Sequence, residues 1–211
     1  MSLFAFDFDG TLSDSEMMVG LAERYGVAEE VGDITARAMR GELSYAESLY
    51  ERADLLDGLA SSTAAEAYSE VRLRPGAAEV IQALNDAGHT TAILTGGFTP
   101  GVRAALDFAG VEVDHVVANE LLEADDALTG DADGPLIEGT KDDALRNLAA
   151  ELGHDMTDTV AIGDGANDLP MLKVAGLAIG FDPKPAVRPH TDVIVTTMAR
   201  LRELLEEDGY L

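Results

Sequence analysis

The strongest constraint on the fold is a regular alternation of short apolar runs and amphipathic stretches in the C-terminal two thirds of the chain. The pattern predicts helix 76–88, strand 90–94, helix 101–109, strand 113–118, helix 141–152, strand 158–162, helix 167–173, strand 176–180, strand 192–195 and helix 199–207. Strands separated by helices pair in parallel, and the helices cover both faces of the sheet. The sequence therefore predicts an α/β fold around a parallel sheet.

An isolated apolar run at the N-terminus, Leu3-Phe4-Ala5-Phe6, predicts a further buried strand. Residues 13–72 then carry apolar side chains at helical spacing and predict a bundle of about four short helices. We therefore expect an α/β core of residues 1–12 and 75–211, with a helical cap of residues 13–74 inserted after the first strand. Insertions at this point overhang the carboxyl ends of the strands, where open α/β sheets bind ligands.

Local signals mark helix ends and turns. Capping-box patterns predict three helix starts, at Ser13-x-x-Glu16, Ser44-x-x-Glu47 and Thr63-x-x-Glu66. Gly26 and Gly41 predict helix ends, because glycine adopts the left-handed conformation that closes many helices. The segment 119–139 contains Thr129-Gly130 and Asp133-Gly134, so we expect it to form a small hairpin or flap.

Composition excludes several classes of protein. The 211 residues are 46% hydrophobic, which suffices for a sizeable core, and they include no cysteine, which rules out thiol nucleophiles and thiolate zinc sites. A net charge of -26 disfavours nucleic-acid binding. The sequence contains neither a membrane-spanning run nor a signal peptide, so a cytoplasmic protein is expected. The excess of acidic residues also suggests adaptation to high salt, with an ordinary acidic protein as the alternative.

Asp7 and Asp9 follow the N-terminal strand directly. Alternate residues of a strand share a face, so both carboxylates point the same way, opposite to Phe4, Phe6 and Phe8. At about 4 Å their repulsion is on the order of 4 kcal/mol for an effective dielectric constant near 20, which requires a cation, a shared proton or a charged ligand. An acidic hairpin turn is the alternative.

A second acidic cluster, Gly163-Asp164-Gly165-Ala166-Asn167-Asp168, follows another apolar strand. With Asp7 and Asp9 it supplies four carboxylates at strand ends of one sheet. Oxygen ligands without histidine or cysteine suit Mg²⁺, which commonly bridges to a phosphate. A glycine-rich turn with an acidic helix start explains one or two of these residues, but not the set.

Two further positions suit an anion. Thr95-Gly96-Gly97 ends a strand, where a hydroxyl and backbone amides can bind a phosphoryl group, although this tripeptide is also a common turn. Lys141 falls in the first turn of a predicted helix, where the positive end of the helix dipole disfavours a lysine. An anionic partner would offset that cost. A solvated lysine beside Asp142 and Asp143 is the alternative.

Taken in order, these four motifs resemble those of the haloacid dehalogenase superfamily over nearly the whole chain. They are Asp7-Phe8-Asp9-Gly10-Thr11, Thr95-Gly96-Gly97, Lys141 and Gly163-Asp164-Gly165-Ala166-Asn167-Asp168. The cap resembles the branch of that superfamily that hydrolyses O-phospho-L-serine, in the runs Ser13-Asp14-Ser15-Glu16, Gly41-Glu42-Leu43-Ser44-Tyr45 and Glu47-Ser48-Leu49-Tyr50-Glu51-Arg52. Thr95 departs from the serine usual in that branch but keeps the hydroxyl.

The resemblance implies a Mg²⁺-dependent phosphatase that releases serine and phosphate from phosphoserine, the last step of serine biosynthesis. Asp7 would attack phosphorus, and Asp9 would act as general acid and then general base. The metal would be held by Asp7 and Asp164 and by the Asp9 carbonyl, with Asp168 supporting its waters. The phosphate would be bound by Thr95, Gly96, Lys141 and Asn167.

The resemblance also implies that the cap selects the substrate. Glu16 would meet the ammonium group and Arg52 the carboxylate, with Met39 and Tyr45 as weaker candidates for the apolar wall. Three alternatives stay open: another small phosphomonoester as substrate, transfer of the phosphoryl group to an alcohol, and a non-catalytic binding role. The sequence does not define the oligomeric state.

Overall fold

One sheet organises the molecule in a computed structural model that describes residues 1–138 and 140–211. Within those residues seven strands lie in the order β4-β3-β2-β1-β5-β6-β7. Their bounds are β1 Leu3–Phe6, β2 Thr90–Phe98, β3 His115–Ala124, β4 Ala127–Asp133, β5 Thr159–Gly163, β6 Leu177–Phe181 and β7 Val193–Val195. All neighbouring pairs are parallel except β3 and β4, which are antiparallel. The predicted α/β fold is thus confirmed, with one antiparallel strand at its edge.

Helices connect the strands and cover both faces of the sheet. Their bounds are α1 Met17–Tyr25, α2 Ala28–Met39, α3 Tyr45–Asp54, α4 Ser61–Ser69, α5 Ala77–Asp86, α6 Thr99–Ala109, α7 Lys141–Leu152, α8 Leu169–Val174 and α9 Met198–Glu207. None of these helices is both long enough and apolar enough to cross a membrane. The predicted bounds of α7 agree with the structure, and those of the other predicted helices differ from it by one or two residues at their ends.

Strand β1 lies at the centre of the sheet, where it is buried on both faces. Phe4, Phe6 and Phe8 belong to an apolar cluster with residues of α5, α6 and α9. Leu3 and Ala5 belong to a second cluster with residues of α7 and α8. The alternation expected from the sequence is therefore realised along this strand.

The segment after β1 folds into the four predicted helices, α1 to α4. Only one of the three predicted capping boxes is correct: the Ser44 hydroxyl accepts a hydrogen bond from the Glu47 N–H, and the Glu47 carboxylate accepts one from the Ser44 N–H. The prediction at Ser13 is wrong, because Ser13 forms bridges to Asp9 and Leu73 and α1 begins only at Met17.

The prediction of a helix start at Thr63 is also wrong. Ala60 forms a bridge to Ala127 of β4, and α4 begins directly after it, two residues before Thr63. Of the predicted helix ends, Gly26 closes α1 in the left-handed conformation. Gly41 also has a positive φ, of 76°, but lies one residue beyond the end cap of α2 at Arg40.

The predicted hairpin is present and consists of β3 and β4. Its turn lies at Asp125 and Asp126, which both have positive φ, and not at either glycine turn named from the sequence. Asp is tolerated in such a turn, which matches the twist of a two-residue hairpin. Gly139, the last residue of the predicted segment, lies outside the described residues.

Candidate active site

The register of three central strands brings the sequence motifs together. Phe6 of β1 pairs with Ile93 of β2 on one side and with Ile162 of β5 on the other. Asp7 follows Phe6 directly, while Thr95 and Asp164 follow their strands' paired residues by two positions. Because parallel strands end at the same edge of the sheet, the nucleophile candidate, the hydroxyl and the second acidic motif meet there.

Lys141 is buried between two carboxylates. Its Nζ lies 2.5 Å from Asp7 Oδ1 and 2.6 Å from Asp168 Oδ1, and all three side chains are at most 4% exposed. Burial alone would lower the pKa of Lys141, but Asp168 and Asp7 outweigh it and raise that pKa. The misplaced lysine predicted from the sequence therefore has anionic partners, and its charge is retained.

The Asp7 carboxylate keeps one oxygen free. Burial and the neighbouring Asp168 raise the pKa of Asp7 to about 7, despite the opposing effect of Lys141. Asp7 Oδ2 is buried and has no hydrogen-bond partner among the described residues. An ionised oxygen that lacks a partner in a buried position needs a cation or an electrophile.

Asp168 organises the second acidic motif. Its Oδ2 accepts hydrogen bonds from the Asp164 N–H at 2.9 Å and the Gly165 N–H at 2.8 Å, while Oδ1 accepts from Lys141. Asp7, Asp164 and Asp168 each offer an oxygen within 4.8 Å of the others. This buried group of three acids could hold a metal ion. The Asp9 carboxylate is not part of the group.

Asp9 lies in a different environment from Asp7. Burial, with the nearby charges of Asp7 and Glu16, raises the pKa of Asp9 well above its usual range. Its Oδ1 is buried and lacks a hydrogen-bond partner within the described ranges. Asp9 is thus suited to carry a proton, whereas Asp7 is paired with a cation.

The Thr95 loop, residues 95–97, lies within β2, because the strand continues to Phe98 instead of ending at residue 94 as predicted. The pairing of β2 with β3 is irregular at these residues. Thr95 is buried, and its Oγ1 accepts a hydrogen bond from the Gly97 N–H at 3.0 Å. The hydroxyl hydrogen can therefore be donated elsewhere.

A cavity of about 460 Å³ opens above these groups, between the sheet edge and the helical insertion. It is lined by ten of the residues predicted for the site: Asp7, Asp9, Glu16, Met39, Tyr45, Arg52, Thr95, Gly96, Asp164 and Asn167. Lys141 lines an adjoining cavity of about 300 Å³, and Asp168 is fully buried behind the others.

The two residues of the insertion that are expected at the substrate lie at the start of α1 and within α3. Glu16 is the N-cap residue of α1. Its carboxylate is exposed and does not take part in a capping box. Arg52 lies on α3, where its Nε donates to the Ser48 carbonyl at 3.0 Å and burial lowers its pKa. Both residues line the cavity, which therefore presents one anion and one cation from the cap.

Sequence reasoning missed two polar residues of this region. Lys184 lines the cavity, and its Nζ lies 3.1 Å from Asp164 Oδ2. It follows the carboxyl end of β6, so the strand-end argument applied to the other motifs could have found it. Asn119 is fully buried in β3 and donates a hydrogen bond to the Gly96 carbonyl at 3.1 Å. Its only signal was an amide within an apolar strand.

Comparison with known proteins places this geometry in a family. The family model for "haloacid dehalogenase-like hydrolase" matches residues 4–173. A phosphoserine phosphatase of Halobacterium salinarum is 56% identical over 209 residues, which cover 99% of both chains. One of Methanocaldococcus jannaschii is 38% identical over 205 residues, or 97% of this chain and 96% of the relative.

Solved structures agree with these sequence relatives. A phospho-aspartyl intermediate analogue of phosphoserine phosphatase superposes with a TM-score of 0.88 at 38% identity, over 98% of both chains. A substrate-bound phosphoserine phosphatase complex gives a TM-score of 0.88 at 36% identity, over 98% of this chain and 97% of that one. The similarity thus extends over the sheet, the insertion and the site between them, and the chain belongs to the haloacid dehalogenase-like hydrolases.

Proposed function

We propose that this protein hydrolyses O-phospho-L-serine to L-serine and phosphate through an aspartyl-phosphate intermediate on Asp7. One observation carries the proposal: Asp7 presents a buried oxygen without a described partner to a cavity, while Lys141 holds its other oxygen. A carboxylate so placed can attack phosphorus. The names of the relatives above support phosphoserine as the substrate.

The donor set fits Mg²⁺. Asp7 and Asp164 provide hard oxygen ligands at the sheet edge. We propose the Asp9 backbone carbonyl as the third ligand. Asp168 supports the site through the Asp164 and Gly165 amides. When bound, Mg²⁺ neutralises charge on the phosphate that would otherwise repel Asp7.

Asp9 gives a proton to the leaving seryl oxygen and later takes a proton from the attacking water. In the first step Asp7 Oδ2 forms a bond to phosphorus, the bond to the seryl oxygen breaks, and Asp9 gives that oxygen its proton. In the second step Asp9 takes a proton from water as the water attacks phosphorus and releases Asp7. The raised pKa of Asp9 supports its protonated form in the first step.

The remaining residues bind the substrate. The phosphoryl group is bound by Thr95, Gly96, Asn167 and Lys141. The positive charge of Lys141 also attracts it electrostatically. Glu16 receives the ammonium group and Arg52 the carboxylate of the serine part. Met39 and Tyr45 form the wall of the cavity. In this proposal residues 13–74 act as a cap over a core of residues 1–12 and 75–211.

Phosphate release from a panel of phosphomonoesters, with Mg²⁺ and with a chelator, tests the function. We expect phosphoserine to be the best substrate and turnover to require the metal. Asp7→Asn should abolish turnover with the fold retained, while Asp14→Asn, a nearby exposed acid, should leave it unchanged. Residual activity of Asp7→Asn well above background would contradict the nucleophile assignment.

Product analysis with added serine or homoserine separates hydrolysis from transfer. We expect inorganic phosphate to be the phosphorus-containing product under all these conditions. Formation of a phosphorylated acceptor in proportion to its concentration would instead identify a phosphotransferase.

A further inference from the structure

The backbone carbonyl of Gly96 accepts hydrogen bonds from two side chains that come from different parts of the fold. The Tyr45 hydroxyl, at the first residue of α3, donates to it at 3.0 Å. The Asn119 amide, in β3, donates to it at 3.1 Å. We call these two donors and their shared acceptor the Gly96 clamp. The clamp joins the helical insertion and the sheet at one peptide group.

Close packing shows that the clamp is built into the site. A Cβ atom at residue 96 would collide with the Tyr45 hydroxyl, so the hydroxyl occupies the space that only glycine leaves. The other end of the Asn119 amide is also used, because its Oδ1 accepts a hydrogen bond from the Leu136 N–H at 3.0 Å. Asn119 is fully buried, and its orientation is therefore fixed from both ends.

The clamped peptide is the one that organises the Thr95 hydroxyl. The Gly96 carbonyl and the Gly97 N–H belong to the same planar group. That N–H donates to Thr95 Oγ1 at 3.0 Å. Fixing the plane of this peptide therefore fixes the oxygen of Thr95 and leaves its hydrogen for the phosphoryl group. An error of about 1 Å in such a contact can cost on the order of a hundredfold in rate.

We propose that Asn119 and Tyr45 are positioning residues that hold the Thr95 loop in its phosphate-binding geometry, and that docking of α3 completes this loop. The inference rests on the proposed function. Arg52 lies on the same helix as Tyr45, so the helix that would bind the substrate carboxylate is also the helix whose hydroxyl is hydrogen-bonded to Gly96. Recognition of the serine part of the substrate is thereby linked to binding of its phosphate.

Tyr45→Phe tests the clamp with little change in shape, and Tyr50→Phe on the same helix is the matched control, because Tyr50 is exposed and does not line the cavity. Loss of one neutral hydrogen bond predicts a fall in kcat on phosphoserine of about threefold to tenfold. The KM should change by less than about twofold, because the loop acts mainly on the transition state. Affinity for orthovanadate, which mimics five-coordinate phosphorus, should weaken by the same factor as kcat.

Asn119→Asp provides the second variant. It keeps an oxygen for the Leu136 N–H but replaces the donor to Gly96 with an acceptor, so kcat and vanadate affinity should fall further than in Tyr45→Phe. Thermal unfolding is measured in parallel. If the wild type hydrolyses phosphoserine but Tyr45→Phe matches Tyr50→Phe in kcat and vanadate affinity, the clamp has no positioning role. If the wild type does not hydrolyse phosphoserine, the proposed function fails, and vanadate titration still compares the variants.

Discussion

At the scale of single residues, Asp7 and Asp9 show how neighbouring carboxylates acquire different chemistry. Both follow the end of one strand, Asp7 buried and Asp9 partly buried, but Lys141 contacts only Asp7 among them. For Asp9, burial together with the nearby charges of Asp7 and Glu16 favours the protonated form and raises the pKa. In the proposed mechanism, the division between a nucleophile and an acid follows from which carboxylate the lysine contacts.

Arg52 offers a residue-scale test of substrate selection. Arg52→Ala should lower kcat/KM for phosphoserine by about 10-fold to 100-fold, because hydrogen bonds to a charged group are worth about 1.5–3 kcal/mol. The loss on a neutral aryl phosphate should be much smaller. Arg40→Ala removes an exposed arginine that does not line the cavity and should affect neither substrate. Equal losses on both substrates in Arg52→Ala would contradict carboxylate recognition.

Lys184 offers a residue-scale test of metal binding. Its ammonium group occupies a position beside Asp164 Oδ2 and repels a divalent ion that uses the same carboxylate. Lys184→Met should therefore tighten Mg²⁺ binding, by roughly threefold to tenfold after allowance for solvent screening. Lys173→Met, at an exposed position of α8, gives the same change in net charge and should have little effect. Calorimetric titration without substrate measures the Mg²⁺ affinity of both variants and of the wild type. Equal affinities of Lys184→Met and the wild type would refute the competition between Lys184 and the metal.

The same residues show what the sequence could and could not reveal about the site. Lys141 was predictable because a lysine in the first turn of a helix is unfavourable without an anion. Lys184 lies in a loop, where a lysine carries no such cost, so its position after β6 was the one signal that could have pointed to it. The Asn119 contact with Gly96 joins residues 23 positions apart through a bulged strand register, which no local pattern records.

At the scale of elements, local chemistry fixed some boundaries and distant contacts fixed others. The helix α7 begins and ends as predicted, and its end is fixed by Gly153 in the left-handed conformation. The strands β2 and β3 extend four and six residues beyond their predicted ends of 94 and 118. Their extensions pair with each other and with β4, and pairing between strands is not visible in either segment alone.

The hairpin of β3 and β4 supports the helical insertion. The Leu128 carbonyl accepts a hydrogen bond from the Gly58 N–H at 2.9 Å, and the Leu128 N–H donates to the Leu59 carbonyl at 2.8 Å. These bonds tie β4 to the loop between α3 and α4. They also cover an edge of the sheet that would otherwise expose unpaired backbone groups.

A substitution in this hairpin tests the support at the element scale. Leu128 is 2% exposed, and Leu128→Ala should reduce the free energy of unfolding by about 2–4 kcal/mol through the cavity it leaves. Leu122→Ala, at a position 40% exposed on the adjacent strand, should cost less than about 1 kcal/mol. Denaturant unfolding of both variants measures the difference. Similar values would show that β4 contributes no packing to the insertion.

At the scale of the whole molecule, charge repulsion opposes the compact state. Fourteen basic residues can pair with at most fourteen of the forty acidic ones, so a net charge of -26 remains whatever ion pairs form. Several of the pairs present are exposed, such as Arg200 with Glu203 and Glu207, and contribute little individually. The uncompensated charge is spread over the surface, where salt can screen it.

High-salt adaptation predicts how the stability of the whole chain depends on ionic strength. Raising KCl from about 0.1 M to about 1 M shortens the Debye length from about 10 Å to about 3 Å and should raise the unfolding temperature by at least about 5 °C. Most of the rise should occur below about 1 M if screening is the cause, and NaCl should act equally. Sucrose, which carries no charge, is the control for stabilisation by solvent exclusion. An unfolding temperature that stays constant or falls across the series would show that this acidic surface does not require salt.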